Sequence, residues 1–280
     1  MKLICYNQFN QDLFHNGMAR AVEHAAALGF DGVEPLDMMP THRAAPIYEM
    51  FDARELRRRL DGNGLSAPCC SWAIRRCDRD ADAVLDATYR YIEFAAELGA
   101  SYLHHTLILS VTPLPDAPSY EQMLSAVLPT AKKIVKRCEK YGMQCLYEPQ
   151  GMFFNGIAGV SGLLRAVREE YAGVGVCADL GNSLFVDESP LDVTAALIGD
   201  ARHVHVKDYL CINPPRADLK GHLSRGGVQL VDCRVGEGDC RLAECLALLK
   251  NAGYSGAYSI EIDADDDTTR RTMDFVRQNG

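Results

Sequence analysis

No stretch of this 280-residue chain approaches the roughly 20 consecutive apolar residues that a membrane-spanning helix needs. Its opening, Met1-Lys2-Leu3-Ile4-Cys5-Tyr6, lacks the basic, apolar and small-residue zones of a secretory signal and reads as a first strand. A cytoplasmic chain without a membrane partner is therefore expected. Basic residues are outnumbered: 29 Lys and Arg against 38 Asp and Glu leave a net charge of −9, which weighs against a duplex nucleic-acid partner. The 11 cysteines contain no C-x-x-C pair and no regular spacing. Their odd number, and the apolar settings of Cys145 and Cys177, predict free thiols in a reducing compartment, with neither a disulfide framework nor a zinc knuckle. No Gly-x-Gly-x-x-Gly follows the first strand, so a dinucleotide-binding unit is disfavoured.

What is present is alternation. Strand candidates fall at residues 2–7, 31–35, 65–72, 101–106, 143–148, 174–179, 201–207 and 257–262. Helical candidates fall near 17–28, 52–63, 80–98, 119–141, 160–171, 190–198, 240–252 and 267–278. Helices stop at turn residues such as Leu28-Gly29, Gly62-Asn63-Gly64, Leu98-Gly99 and Tyr141-Gly142, each followed by an apolar run. Eight strand–helix pairs with no break in composition predict a single-domain (β/α)8 TIM barrel over residues 1–280 rather than an open sheet. Two connections after strands are long: 107–118, with Pro113, Pro115 and Pro118, and 208–239, with Pro214, Pro215, Arg216 and Arg225. Both belong to the face where barrels carry their chemistry, as lids or substrate clamps, or else as plain surface excursions.

Four of the predicted strands end on residues that can bind a metal: Glu148, Asp179, His205 and Glu261. Side chains two apart on a strand share a face. His203, His205 and Lys207 therefore share one face, while Val204 and Val206 suit the helix-covered outside. The same parity turns Ser259 and Glu261 inward with Ile260 outward, and Glu148 inward with Tyr147 outward. Three carboxylates packed together need a compensating cation. Three carboxylates and one imidazole suit manganese first, with magnesium, cobalt or zinc as alternatives. Taken singly, a strand-end glutamate is an ordinary rim residue and a lone histidine a hydrogen-bonded core residue. Four strand ends together argue for a site.

The chain resembles the sugar phosphate isomerase/epimerase group of the xylose-isomerase-like barrels. The residues that carry the resemblance are Gly29-Phe30-Asp31-Gly32-Val33-Glu34, Tyr147-Glu148-Pro149, Asp179-Leu180-Gly181-Asn182, His203-Val204-His205-Val206-Lys207-Asp208, Gly236-Glu237-Gly238-Asp239 and Gly253 to Glu261. It covers nearly the whole length. It implies that Glu148, Asp179, His205 and Glu261 bind one divalent ion, that the two glutamates also handle substrate protons, and that the protein is a homo-oligomer. Several ketose epimerases of the group have an arginine shortly after the metal histidine, where this chain has Tyr209, Leu210 and Cys211. Arg216 or Arg225 is the expected substitute.

The chemistry so implied is isomerisation or epimerisation of a keto-sugar or sugar derivative through a metal-bound enediolate, with Glu148 and Glu261 as the acid/base pair. Lys207 is an electrostatic helper or a salt-bridge partner of a nearby carboxylate. Glu34, Trp72, His105, Asn182 and Arg216 complete the expected substrate site, Trp72 as a stacking face and His105 in preference to His104. Glu34 either meets substrate hydroxyls or orients Lys207. A dehydratase of the inosose type needs the same metal, and a non-catalytic sugar-binding barrel or assembly subunit needs only the fold. A related barrel nuclease acting on abasic DNA is disfavoured by Asn182, where a histidine would be needed, and by the acidic charge.

Overall fold

The structure, a computed structural model, describes residues 1–39, 41, 43–75, 81–107, 110–112 and 116–280. Pro113 and Pro115 of the first long connection lie outside the described residues. Its frame is a curled sheet of parallel strands: β1 (Lys2–Cys5), β2 (Gly32–Val33), β3 (Leu36–Met39), β4 (Cys69–Ile74), β5 (Tyr102–His105), β6 (Gln144–Tyr147), β7 (Val174–Asp179), β8 (Ala201–Val206) and, later in the chain, β12 (Ala257–Ile260). The order around the sheet is β2-β1-β12-β8-β7-β6-β5-β4-β3. β2 and β3 are the two halves of one strand interrupted at Glu34-Pro35, so the sheet closes on itself as an eight-position α/β barrel.

That interruption has a physical cause. Pro35 offers no N–H to a ladder. Asn10 bridges the gap, donating to the carbonyls of Tyr6 (2.9 Å) and Glu34 (2.8 Å) and accepting from the Leu36 N–H at 2.7 Å. Gly32 must lack a side chain, because a Cβ there would collide with the Ser66 carbonyl of the neighbouring strand entry.

Helices wrap the sheet: α1 (Asn7–Leu28), α2 (Ile47–Met50), α3 (Ala53–Gly62), α4 (Ala81–Leu98), α5 (Tyr120–Glu139), α6 (Gly156–Arg168), α7 (Pro190–Leu197), α8 (Leu242–Asn251) and α9 (Asp266–Asn279). Several begin at side-chain caps that satisfy free N–H groups. Asp52 accepts from Glu55, Asp265 from Thr268, and Ser119 forms a full capping box with Gln122. α1 begins at Asn7, ten residues before the expected start, and kinks at Gly17. Its first half, Asn7 to Asn16, is too polar to show a strong apolar period, yet Phe9 and Leu13 four apart are buried.

The connection 208–239 is not irregular. It folds into an antiparallel flap of β9 (Tyr209–Ile212), β10 (His222–Leu223) and β11 (Gln229–Asp232), ordered β10-β11-β9. The tip is latched to the barrel rim. Ser224 Oγ and the Gly226 N–H donate to the Asp187 carboxylate (2.5 and 2.6 Å), and Arg225 donates to the Met152 carbonyl at 2.7 Å. At its base the buried Asp208 carboxylate accepts from the backbone N–H groups of Tyr209, Gly236, Gly238 and Cys240. Gly238 is needed there because a Cβ would run into that carboxylate.

Candidate metal centre

The barrel brings Glu148, Asp179, His205 and Glu261 together, with one donor atom of each within 4.8 Å of the others. Each follows or ends a different parallel strand, β6, β7, β8 and β12, which are neighbours in the sheet. His205 Nδ1 lies 2.9 Å from Glu148 Oε1 and 3.3 Å from Glu261 Oε2. Lys207 Nζ lies 3.0 Å from Asp179 Oδ2 and 2.9 Å from Glu261 Oε2. Glu148, Asp179 and His205 are buried, and Glu261 is the most open, its side chain 19% exposed.

Beneath them Glu34, fully buried, ties the second barrel strand to three others through four side chains. Its Oε1 accepts from Ser71 Oγ (2.5 Å) and His205 Nε2 (3.0 Å). Its Oε2 accepts from His203 Nε2 at 2.7 Å and from Ser259 Oγ. Because His205 Nε2–H is spent on Glu34, its Nδ1 is the nitrogen that faces the mouth. This is the carboxylate–histidine arrangement that supports a metal-binding imidazole. Tyr6 stacks on the His205 ring at 5.0 Å and fixes its plane. Ser71 gives its one hydroxyl proton to Glu34, so His104 Nδ1 donates to Ser71 Oγ at 2.7 Å, leaving His104 Nε2 3.3 Å from Glu148 Oε2.

Charge and burial compete throughout. Burial opposes the charge on Glu34, but His205 and His203 outweigh it and hold the carboxyl well below its ordinary range. Burial likewise opposes Glu148, which His104 and His205 hold down. Lys207 stays well above its ordinary value despite burial, because Asp179 and Glu261 surround it. Burial pushes Asp179 up to about 7, with Lys207 pulling it back and Glu148 and Glu261 pushing further.

These residues fit a divalent cation. Glu148 Oε2, Asp179 Oδ2 and Glu261 Oε2 are buried and make no hydrogen bond of ordinary geometry, although His104, Lys207 and His205 nitrogens lie 2.9–3.3 Å away as ion-pair partners; buried polar atoms are nearly always satisfied. Donors around one ion at roughly 2.0–2.2 Å lie within about 4.4 Å of one another, close to the observed spread. The Glu34, His203 and His205 donors are also close together. There, however, both carboxylate oxygens are already hydrogen-bonded, so this group serves as support.

Several expected positions differ. Trp72 is not at the mouth: it is fully buried, donates its indole N–H to Thr88 of α4 at 2.8 Å and stacks on Tyr91 at 4.7 Å. Parity explains this, since Ser71 takes the inward position. His105 pairs in register with Trp72 and points outward with it, its ring edge-on to Tyr147 at 4.9 Å. Burial there lowers its imidazole to about 3. His104, in register with Ser71, is the inward histidine. Arg216 lies on the flap and pairs with Asp218, exposed and away from the cluster. Glu34 orients His205 rather than Lys207 or a substrate hydroxyl. Asn182 does lie beside the cluster: its N–H donates to Asp179 Oδ1 at 2.5 Å and its buried Nδ2 has no partner among the described residues. Ser71, Tyr6 and Asp208 were not expected in these roles. Ser71 was detectable, being the small polar residue that parity places opposite the bulky Trp72.

Fold and cluster together define a parallel α/β barrel with a candidate divalent-metal centre at its carboxyl-end mouth. The chain belongs to the xylose isomerase-like TIM barrel family, whose model matches residues 22–279. Solved structures of the same fold include a D-allulose 3-epimerase from Methylomonas sp. in complex with D-allulose (TM-score 0.76, 14% identity, covering 100% of this chain and 97% of that one). Another is a xylose isomerase-like TIM barrel protein from Mycobacterium smegmatis in complex with magnesium (0.74, 16%, 99% and 96%). A third is the probable 3-DHS dehydratase AsbF, involved in petrobactin synthesis, from Bacillus anthracis (0.75, 14%, 100% of both). No curated protein matches the chain. At these identities the likeness speaks for the fold alone. Among the described residues, no helix is long and apolar enough to cross a membrane.

Proposed function

We propose that this protein is a divalent-metal-dependent isomerase or epimerase of a keto-sugar or sugar derivative, with manganese as the working ion. Glu148, Asp179, His205 and Glu261 hold the ion. It supplies positive charge that acidifies the carbon beside a substrate carbonyl.

The remaining work belongs to side chains. Glu148 and Glu261 stand on β6 and β12, three positions apart around the sheet, and meet across His205. One carboxylate takes the proton from the substrate carbon, and the other returns it to the opposite face or to the neighbouring carbon. Lys207 keeps Glu261 ionised, offsets part of the burial that raises Asp179, and places a fixed positive charge beside the developing oxyanion. Glu34 locks the His205 tautomer. Asn182 offers its unspent amide to a substrate oxygen. The ten described cysteines are free, which suits a reducing compartment.

The observation that carries this reading is the convergence of buried Glu148 and half-buried Glu261 with Asp179 and His205 on one point. The test is a panel of keto-sugars incubated with manganese-loaded protein in deuterated water. Mass-conserving deuterium uptake is expected, lowered roughly 10²-fold or more in Glu148→Gln and in Glu261→Gln. A product lighter by one water would instead assign a dehydratase, and full exchange in metal-free protein would exclude the mechanism.

A further inference from the structure

The flap brings one polar side chain to the cluster that the proton transfer leaves unused. Tyr209 opens β9, four residues after His205. Its backbone is fixed twice: the N–H donates to Asp208 Oδ1 at 3.0 Å, and the carbonyl accepts from the Asp239 N–H at 2.8 Å. The ring is buried and stands edge-on to Phe185 at 5.8 Å. Its neighbour on the barrel is Gly181. A Cβ there would lie 3.0 Å from Tyr209 Cε2 and 3.1 Å from Lys207 Cγ. Gly181 belongs to the turn around Asp179, since its N–H donates to Asp179 Oδ1 at 2.9 Å. The ring therefore packs where the Asp179 turn meets the Lys207 stem, and a side chain at position 181 would crowd it.

The phenol end lies close to the charges of the cluster. Burial pushes the phenol up, Lys207 pulls it back, and Asp179 and Glu261 push it further. Lys207 in turn, which burial would lower, feels Asp179, then Glu261, then Tyr209. A phenol so placed stays neutral, able to donate one hydrogen bond and to accept others. Its hydroxyl is nevertheless unspent. Those of Tyr91, Tyr120 and Tyr254 donate to backbone carbonyls, whereas the Tyr209 hydroxyl has no partner among the described residues. Tyr147 also has none, but its hydroxyl is sealed inside the protein, and that of Tyr209 is not.

The arginines expected to meet substrate are spent elsewhere, Arg216 on Asp218 and Arg225 on the Met152 carbonyl. We propose, resting on the sugar-site reading above, that Tyr209 is a substrate-binding residue whose phenol hydrogen-bonds one hydroxyl of the keto-sugar turned over at Glu148 and Glu261. Asn182, next in the chain to Gly181, offers its amide from the same turn. Two neutral anchors beside the cluster fix which carbon comes between the glutamates. Held by a packed ring on a latched flap, the phenol selects sugars that carry the matching hydroxyl.

The test is deuterium uptake by manganese-loaded wild type and Tyr209→Phe, using the keto-sugar that exchanges fastest and its monodeoxy analogues. Phenylalanine keeps the packing on Gly181 and Phe185, so manganese content and thermal unfolding are expected to match wild type. The kcat/KM is expected to fall roughly tenfold. One deoxy analogue is expected to lose a similar factor in wild type and nothing further in Tyr209→Phe, a coupling that a purely structural role would not produce. Wild-type kcat/KM in Tyr209→Phe, or equal losses in both proteins for every analogue, overturns this inference and leaves the proposed function standing. A Tyr209→Phe protein that loses manganese or stability makes the residue structural and overturns it as well. No exchange from any sugar in manganese-loaded wild type sinks both.

Discussion

Glu34 decides which nitrogen of His205 looks out of the barrel, although Glu34 itself lies beneath the candidate metal ligands. Replacing it with Gln sets an amide donor against a ring of donors from His203, His205, Ser71 and Ser259. Loss of one partner in a buried charged network costs about 3 kcal/mol or more, and loss of a supporting carboxylate lowers metal affinity about 10- to 100-fold. Denaturant unfolding of the metal-free Glu34→Gln protein and manganese titration read the two effects separately. Wild-type values in both would remove Glu34 from the account. Asp179 sets a pH dependence. With its carboxyl raised to about 7, the ion-free fold favours the protonated form. Its contribution to stability is complete below the ordinary carboxylate value of 3.8 and is lost as pH rises to about 7. Metal needs the ionised form, so affinity falls as pH drops below 7 and uptake at pH 6 releases more protons than at pH 8. Calorimetry in two buffers of different ionisation heat counts those protons; equal release at both pH values would contradict the assignment.

At the level of elements, the flap depends on one carboxylate. Asp208→Ala would leave four backbone N–H groups without their acceptor, at a cost of about 3 kcal/mol. Brief proteolysis of that variant is expected to cut first within residues 208–240, and uniform digestion would show that the flap is held by other contacts. This flap is also where reading from sequence stops. Strand parity is local, so it was enough to turn Glu148, His205, Lys207 and Glu261 inward and the alternating valines out. Parity needs a phase, however, and on β5 two adjacent histidines offered none. The phase came from β4, where a narrow barrel interior takes Ser71 and leaves Trp72 to pack under α4. β9 to β11 are short and antiparallel, and they lie among prolines and glycines. Their tip is held by contacts with Asp187 and Met152, far away in sequence. The early start of α1 was hidden for a related reason: Asn10 is buried there to bridge the broken second strand, a tertiary demand that breaks the apolar period.

For the whole molecule, the barrel converts distance in sequence into neighbourhood in space. Residues 34, 148, 179, 205 and 261 become adjacent only because the strands close in register, so the ion should also report on closure of the fold. An ion that binds only the folded barrel stabilises it by about 2.7 kcal/mol at a hundredfold excess over its dissociation constant. For a protein of this size that corresponds to a rise in Tm of about 5–10 °C. Chelation should reverse the rise and Glu261→Gln should blunt it, as thermal unfolding followed by circular dichroism would show. The most direct test is crystallographic: anomalous scattering at the manganese edge from crystals of the manganese-loaded protein. One peak is predicted per chain, bounded by Glu148, Asp179, His205 Nδ1 and Glu261. A manganese ion seated elsewhere, or none at saturating concentration, would contradict the account.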